Sequence, residues 1–203
     1  LRELGAKDGE PEVALREGGR RLVPRIARAA SVRPGSEGVL VRADGSYLVT
    51  GGLGGLGLVV ARWLVEKGAR HLVLVSRSAP GEQAQAEVSA LEASGAKLTV
   101  MQADVSSRGE VERMVEAASR EAPLRGVIHA AVVLDDGVLA EQSGERLARV
   151  MAAKVQGSWN LHQATQGQAL DFFVLFSSGA TLLGGAGQSN YAAANAFVDG
   201  LAQ

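Results

Sequence analysis

Five short runs rich in β-branched and apolar residues recur along the chain: "SYLVTG" (46–51), "HLVLVS" (71–76), "KLTVMQ" (97–102), "GVIHAA" (126–131) and "FFVLFS" (172–177). Between them, "GLVVARWLVEKG", "EQAQAEVSALEASG" and "RGEVERMVEAASREA" bring apolar residues back at the three-to-four spacing of an amphipathic helix. A strand that is apolar at successive positions is buried on both faces. Such strands alternating with helices predict a doubly wound parallel α/β sheet from Ser46 onward. Upstream the texture differs. "EVALREGGRRLVPRI" (12–26) predicts two short strands folded back around Gly18-Gly19, with Pro24 confining the second to an edge. The polar stretch with Pro34, Gly35 and Gly38 is expected to be a linker. The chain therefore divides near residue 45, a β-rich segment 1–45 preceding an α/β domain 46–203.

The 203 residues, 46% of them hydrophobic, suffice for one substantial core. A formal net charge of −1 leaves no electrostatic footprint for nucleic acid. With no Cys and three His, neither disulfides nor a structural metal is expected. A cytoplasmic location is expected, since the charged N-terminus lacks an apolar signal region. No membrane span is expected either: the uncharged run from Tyr47 to Ala61 contains five Gly and ends at Arg62. The chain starts at Leu1 and stops at Gln203 inside an apolar helical run, so it reads as a segment of something longer.

The first strand of the α/β region runs into "TGGLGGLG", Thr50 to Gly57, and then into a helix. Gly52, Gly54 and Gly57 satisfy G-x-G-x-x-G, the turn that brings backbone up to a pyrophosphate at the positive end of a helix. This makes the fold Rossmann-like and points to a dinucleotide. The end of the next strand selects which one. An acid that would hold a ribose 2′-hydroxyl is missing there, and "VSRSAP" offers Ser76 and Arg77. A guanidinium suits a 2′-phosphate and so NADPH; the alternative is a solvated loop arginine. Asp104, at the end of the third strand, could accept from an adenine amino group or cap the helix that begins near Ser107.

Carbonyl reduction needs a proton donor beside the developing alkoxide and a cation near that donor. Tyr191 opens an Ala-rich helix, and Ser177 and Ser178 both stand at the end of the fifth strand, where a hydroxyl can hold a substrate oxygen. Asn195 occupies the position one turn after the Tyr where a Lys would be sought. Lys154, on the helix "RLARVMAAKVQGSWNLHQA", is the candidate cation, against the alternative of an ordinary surface lysine.

These residues resemble a family. "TGGLGGLG", "HAAVVLDDG", "MAAKVQGSWNLH" and "FSSGATLLGGAGQSNYAAANAF", in that order, look like the ketoreductase domain of modular polyketide synthases, in the short-chain dehydrogenase/reductase superfamily. The resemblance covers essentially the whole chain and assigns 1–45 to the tail of a non-catalytic structural subdomain. It implies Tyr191 as proton donor, Ser178 as the carbonyl-orienting hydroxyl, Lys154 as the cation and Asn195 as its support, the Lys and Asn having exchanged the places they hold in most short-chain reductases. It implies NADPH held by Thr50, Gly51, Gly52, Leu53, Gly54, Gly55, Leu56, Gly57, Ser76, Arg77, Asp104, Val105, Ala130, Lys154 and Tyr191. The implied substrate is a β-ketoacyl chain on the phosphopantetheine of an acyl carrier protein. The implied partners are that carrier and neighbouring synthase domains.

"LDD", Leu134 to Asp136, matches the substrate-orienting loop of B-type members, and Leu183 stands where A-type members have Trp. The implied product is a D-β-hydroxyacyl thioester. Read without the family, Asp135-Asp136-Gly137 is a polar turn. The chain departs from the family pattern at Val132, where Gly is common, and at Leu53, where Thr is frequent. Complete members continue with more sheet and a lid, so this segment by itself is expected to be inactive. Two alternatives remain: a non-reducing structural or epimerising module, which would lose a catalytic residue or the Gly loop, and another reductase or epimerase of this fold, which would carry Tyr-x-x-x-Lys.

Overall fold

The computed structural model describes residues 9–10, 13–23, 25 and 40–203. The chain divides into two compact units, Leu1–Gly38 and Val39–Gln203. In the first, β1 (Ala14–Arg16) and β2 (Arg20–Leu22) pair antiparallel, Ala14 opposite Leu22, as the sequence predicts. The turn between them runs through Gly18 and Gly19, both at positive φ. The expectations resting on Pro24 and on the linker at Pro34, Gly35 and Gly38 lie outside the described residues.

The second unit is a five-stranded parallel sheet ordered β5-β4-β3-β6-β7, from β3 (Ser46–Thr50), β4 (His71–Ser76), β5 (Lys97–Gln102), β6 (Leu124–His129) and β7 (Phe172–Leu175). Successive side chains of a strand point to opposite faces, and each face has its own core. Tyr47 and Val49 of β3 with Leu72 and Leu74 of β4 pack against Ala61, Leu64 and Val65 of α1 (Gly55–Glu66) and Val88 and Leu91 of α2 (Glu82–Ala93). Leu48, Val73, Val75 and Val127 face the other way, onto Val111, Met114 and Val115 of α3 (Arg108–Ser119) and onto Leu161. The doubly wound, Rossmann-like arrangement follows from those continuous apolar runs.

The strand order reverses direction at β3, between β4 on one side and β6 on the other. In open α/β sheets the crevice beyond such a switch point is where ligands bind. Two elements there differ from the sequence expectation. The stretch read as one helix is α4 (Gly144–Met151), a π-helical turn (Ala152–Gln156) and α5 (Gly157–Thr165). A short α6 (Ala180–Leu183) precedes α7 (Ser189–Leu201). No helix among the described residues is long and apolar enough to cross a membrane.

Candidate active site

The Gly loop forms as the sequence requires. Gly51 takes φ +69° and lies against β6, where a Cβ would stand 2.8 Å from the main chain of Ala130. At Gly57, inside the first turn of α1, a Cβ would meet the Gly51 carbonyl at 2.1 Å. The loop can therefore fold flat over the start of α1, whose first amides have no intrahelical acceptor. A cleft of about 240 Å³ opens beside it, lined by Gly51, Gly54, Ser76, Arg77, Asp104, Val105, Ala130 and Val132. Donor-rich backbone at one end and Arg77 at another fit a phosphorylated dinucleotide.

Not every residue expected to touch that ligand faces the cleft. Thr50 is wholly buried and its hydroxyl meets His129 Nδ1 at 2.6 Å, so it acts beneath the loop. Leu53 packs on the α1–α2 core, whereas Leu56 is exposed. The Arg77 guanidinium is exposed and makes no hydrogen bond or ion pair among the described residues. Its main-chain carbonyl accepts from Gln102 Nε2 (2.9 Å). Asp104 closes a turn by accepting from the main-chain N–H and hydroxyl of Ser106 (2.8 Å each), while Ser107 occupies the N-cap position of α3. Asn160 Nδ2 pins that turn through the carbonyls of Val105 and Ser106 (3.0 Å each).

Lys154 is not a surface residue. It lies on the π-helical turn, 2% exposed, and donates to the Phe176 carbonyl (2.5 Å), immediately before Ser177-Ser178. Burial lowers its pKa from 10.5 to about 8. Extra backbone width in a π turn is frequent at functional sites, and here it carries the candidate cation. Asn195, one turn after Tyr191 on α7, is fully buried. Its Nδ2 donates to the Tyr191 carbonyl (2.8 Å), while its Oδ1 has no hydrogen-bond partner. A buried acceptor left open on the helix packed against the Lys154 turn is a fitting support for an ammonium. The Tyr191 hydroxyl makes no hydrogen bond to Ser178 or Lys154 among the described residues. Ser178 Oγ accepts from the Ala180 N–H (3.2 Å), which leaves its own proton free to donate.

Sequence reasoning missed four supporting residues. His129 ends β6 fully buried: its Nε2 lies 3.0 Å from the Ala153 carbonyl, which can only accept. That fixes the proton on Nε2, and Nδ1 receives the Thr50 hydroxyl. Burial, and then the nearby Lys154 charge, lower its pKa to about 4, so it is neutral. It thus joins the strand beneath the Gly loop to the turn that carries Lys154. Asn160 holds the Asp104 turn. Asn190, buried beside Tyr191, and Arg146 on α4 hold the Leu134–Asp136 loop. For His129 and Asn160 the signal was a polar residue amid apolar neighbours, which sequence spacing does not distinguish from a solvated one; Arg146 and Asn190 stand beside polar residues and carried no signal.

A family model described as the KR domain matches residues 45–203. A phthioceranic/hydroxyphthioceranic acid synthase of Mycobacterium tuberculosis (strain H37Rv) is 43% identical over 181 residues, 89% of this chain and 8% of the relative. A phenolphthiocerol/phthiocerol polyketide synthase polypeptide from Mycobacterium tuberculosis (strain CDC 1551) is 44% identical over 203 residues, 99% of this chain and 11% of the relative. The chain thus spans about a tenth of the length of these curated relatives. Among solved structures, an A-type ketoreductase from a modular polyketide synthase superposes with a TM-score of 0.89 at 42% identity, covering 98% of this chain and 42% of the other. The first ketoreductase of the tylosin synthase gives 0.84 at 39% identity, with 98% and 42% covered.

Proposed function

Because the chain belongs to the ketoreductase (KR) domain family of polyketide synthases, we propose that it reduces a β-ketoacyl thioester, carried on the phosphopantetheine of an acyl carrier protein, with NADPH as reductant. The observation that carries this reading is the buried Lys154 ammonium, hydrogen-bonded at the strand end that presents Ser177 and Ser178. An isolated buried cation is costly, and in this position its use is to stabilise negative charge that develops during the reaction.

The Gly51–Gly57 loop and the start of α1 would receive the pyrophosphate, Arg77 the 2′-phosphate, and Asp104, Val105 and Ala130 the walls around the adenine and nicotinamide. NADPH, when bound, supplies the hydride. The remaining work belongs to this chain's residues. Ser178 donates to the ketone oxygen and holds it, Tyr191 gives that oxygen its proton, and Lys154 stabilises the phenolate left behind. Asn195 Oδ1 accepts from the ammonium and keeps it aimed. The β-ketone gains one hydride at carbon and one proton at oxygen, giving a β-hydroxyl.

The Leu134–Asp136 loop, with Leu183 in place of Trp, favours B-type entry and a D-configured hydroxyl. Residues 1–45 read as the tail of a structural subdomain, and neighbouring synthase domains as partners. The test has two parts. Nicotinamide fluorescence should rise when NADPH is added, and NADPH should be consumed when a β-ketoacyl carrier protein follows. Chiral chromatography then assigns the product. Failure of NADPH binding would end the reductase reading, and a predominantly L product would end only the B-type assignment.

A further inference from the structure

The loop after β6 is assigned a steering role toward the substrate, yet both its carboxylates are engaged by the protein's own side chains, Asp135 half-buried and Asp136 at the surface. Asp135 receives Arg146 Nε on Oδ1 (2.9 Å) and Arg149 Nη2 on Oδ2 (2.6 Å). Asp136 Oδ2 receives Gln188 Nε2 (2.9 Å). The Arg146 fork also reaches the carbonyls of Asp136 (2.5 Å), Glu141 (3.3 Å) and Asp135 (3.4 Å). It lies so close to Gly137 that a Cβ there would stand 2.6 Å from both terminal nitrogens. From the opposite side the Gly137 N–H donates to the Gly187 carbonyl (2.8 Å), and Asn190 Nδ2 donates to the Asp135 carbonyl (2.8 Å). Asn190 Oδ1 in turn accepts from the Tyr191 N–H (2.7 Å). An unbroken set of bonds therefore runs from α4 through the loop to the proton donor. Of the three loop residues, Leu134 keeps its side chain free, 59% exposed.

We propose that Arg146 is a positioning residue for stereochemical selection: it locks the 134–137 loop against the start of α7, so that the loop steers through the fixed placement of Leu134 relative to Tyr191. On this proposal, which rests on the ketoreductase reading, Asp135 and Asp136 hold the loop in shape and do not contact the substrate. The role suits arginine. A planar fork with five donors can grip a carboxylate and three carbonyls at once, where an ammonium would satisfy fewer and in no fixed plane. The Arg146–Asp135 pair is also shielded, with side chains 23% and 21% exposed, so solvent does not dissolve it as it does a surface pair.

The test compares wild type with Arg146→Met, Arg146→Lys and Gln188→Ala in the full polypeptide context of the chain. Amide exchange at Gly137 should quicken about tenfold or more in Arg146→Met while the amides of β3 and α1 keep their protection. With a β-ketoacyl thioester on its carrier protein, the ratio of major to minor hydroxyl isomer should fall by about tenfold, with kcat changed by about threefold or less. Arg146→Lys should lie between Met and wild type. Gln188→Ala cuts the Asp136 tie without touching Arg146, and should lower the ratio in the same direction. A folded Arg146→Met with unchanged isomer ratio overturns the proposal, even if turnover drops, because that is what a merely structural residue would do. If Arg146→Met does not fold, an unchanged ratio in both Arg146→Lys and Gln188→Ala overturns it. A wild type that reduces no β-ketoacyl thioester refutes the ketoreductase reading instead, and the Gly137 exchange rate still decides whether Arg146 holds the loop.

Discussion

Replacing Lys154 by Met should make the protein more stable at neutral pH while destroying its chemistry. Met fills nearly the same volume without a charge. The Lys154 pKa falls from 10.5 to about 8 on burial, and a displacement of that size corresponds to about 3 kcal/mol between the two protonation states. Relaxation of the surroundings toward the buried ammonium reduces this to about 2 kcal/mol. Against it stands the loss of the bond to the Phe176 carbonyl, about 1 kcal/mol for an acceptor left unpaired. The net gain at pH 7 is about 1 kcal/mol, or roughly 2–4 °C in Tm for a chain of this size. The sign reverses with pH. A base whose pKa is lower in the folded state destabilises the fold fully below that folded pKa. The penalty fades as pH rises from about 8 toward 10.5, because the unfolded chain then binds the extra proton. Near pH 10 only the lost Phe176 contact should count, and Lys154→Met should melt at or below wild type. Thermal melts of both proteins at the two pH values, followed by circular dichroism, measure the crossing. A variant that melts lower at pH 7, by the same margin as at pH 10, would refute the claim that Lys154 is held charged at a cost.

Tyr191→Phe should leave NADPH affinity nearly intact while turnover falls by roughly a hundredfold or more, read by stopped-flow fluorescence and steady-state kinetics. Arg77→Ala should weaken NADPH by about 2 kcal/mol and NADH hardly at all, and equal losses for both in titrations would make Arg77 a simple loop residue. Gly57→Ala should abolish dinucleotide binding and lower Tm, because its Cβ would fall 2.1 Å from the Gly51 carbonyl; a normal NADPH titration of the Gly57→Ala variant would contradict the loop geometry. His129→Asn should remove part of the acid sensitivity. The wild-type histidine, neutral in the fold with a pKa of about 4 against an ordinary 6.5, costs stability as pH falls through that window, so unfolding curves of the two proteins should converge toward pH 4.

Much of this protein is legible without coordinates, because some constraints act through neighbours in sequence. Burial on both faces shows directly as an apolar run, so β4 occupies the very residues read as a strand. A glycine loop between a strand and a helix is a local steric demand, visible as Gly51, Gly52, Gly54 and Gly57. The order of Lys154, Ser178, Tyr191 and Asn195 is legible because it resembles that of a family. What tertiary structure alone decided is how polar groups are partnered across distance. Lys154 could have been one more solvated lysine; only the packing of its turn against α7 buries the ammonium, and the chain leaving β7 gives it the Phe176 carbonyl. His129 and Thr50 lie 79 residues apart and meet because parallel β3 and β6 are adjacent in register. Asp135 and Asp136 read by themselves as part of a polar turn, until the fold brings Arg146, Arg149 and Gln188 to them. Hydrophobic patterning is nearly blind to such pairs, since a hydrogen bond depends on atoms within about 3 Å and sequence records only which residues are polar, not which of them will meet.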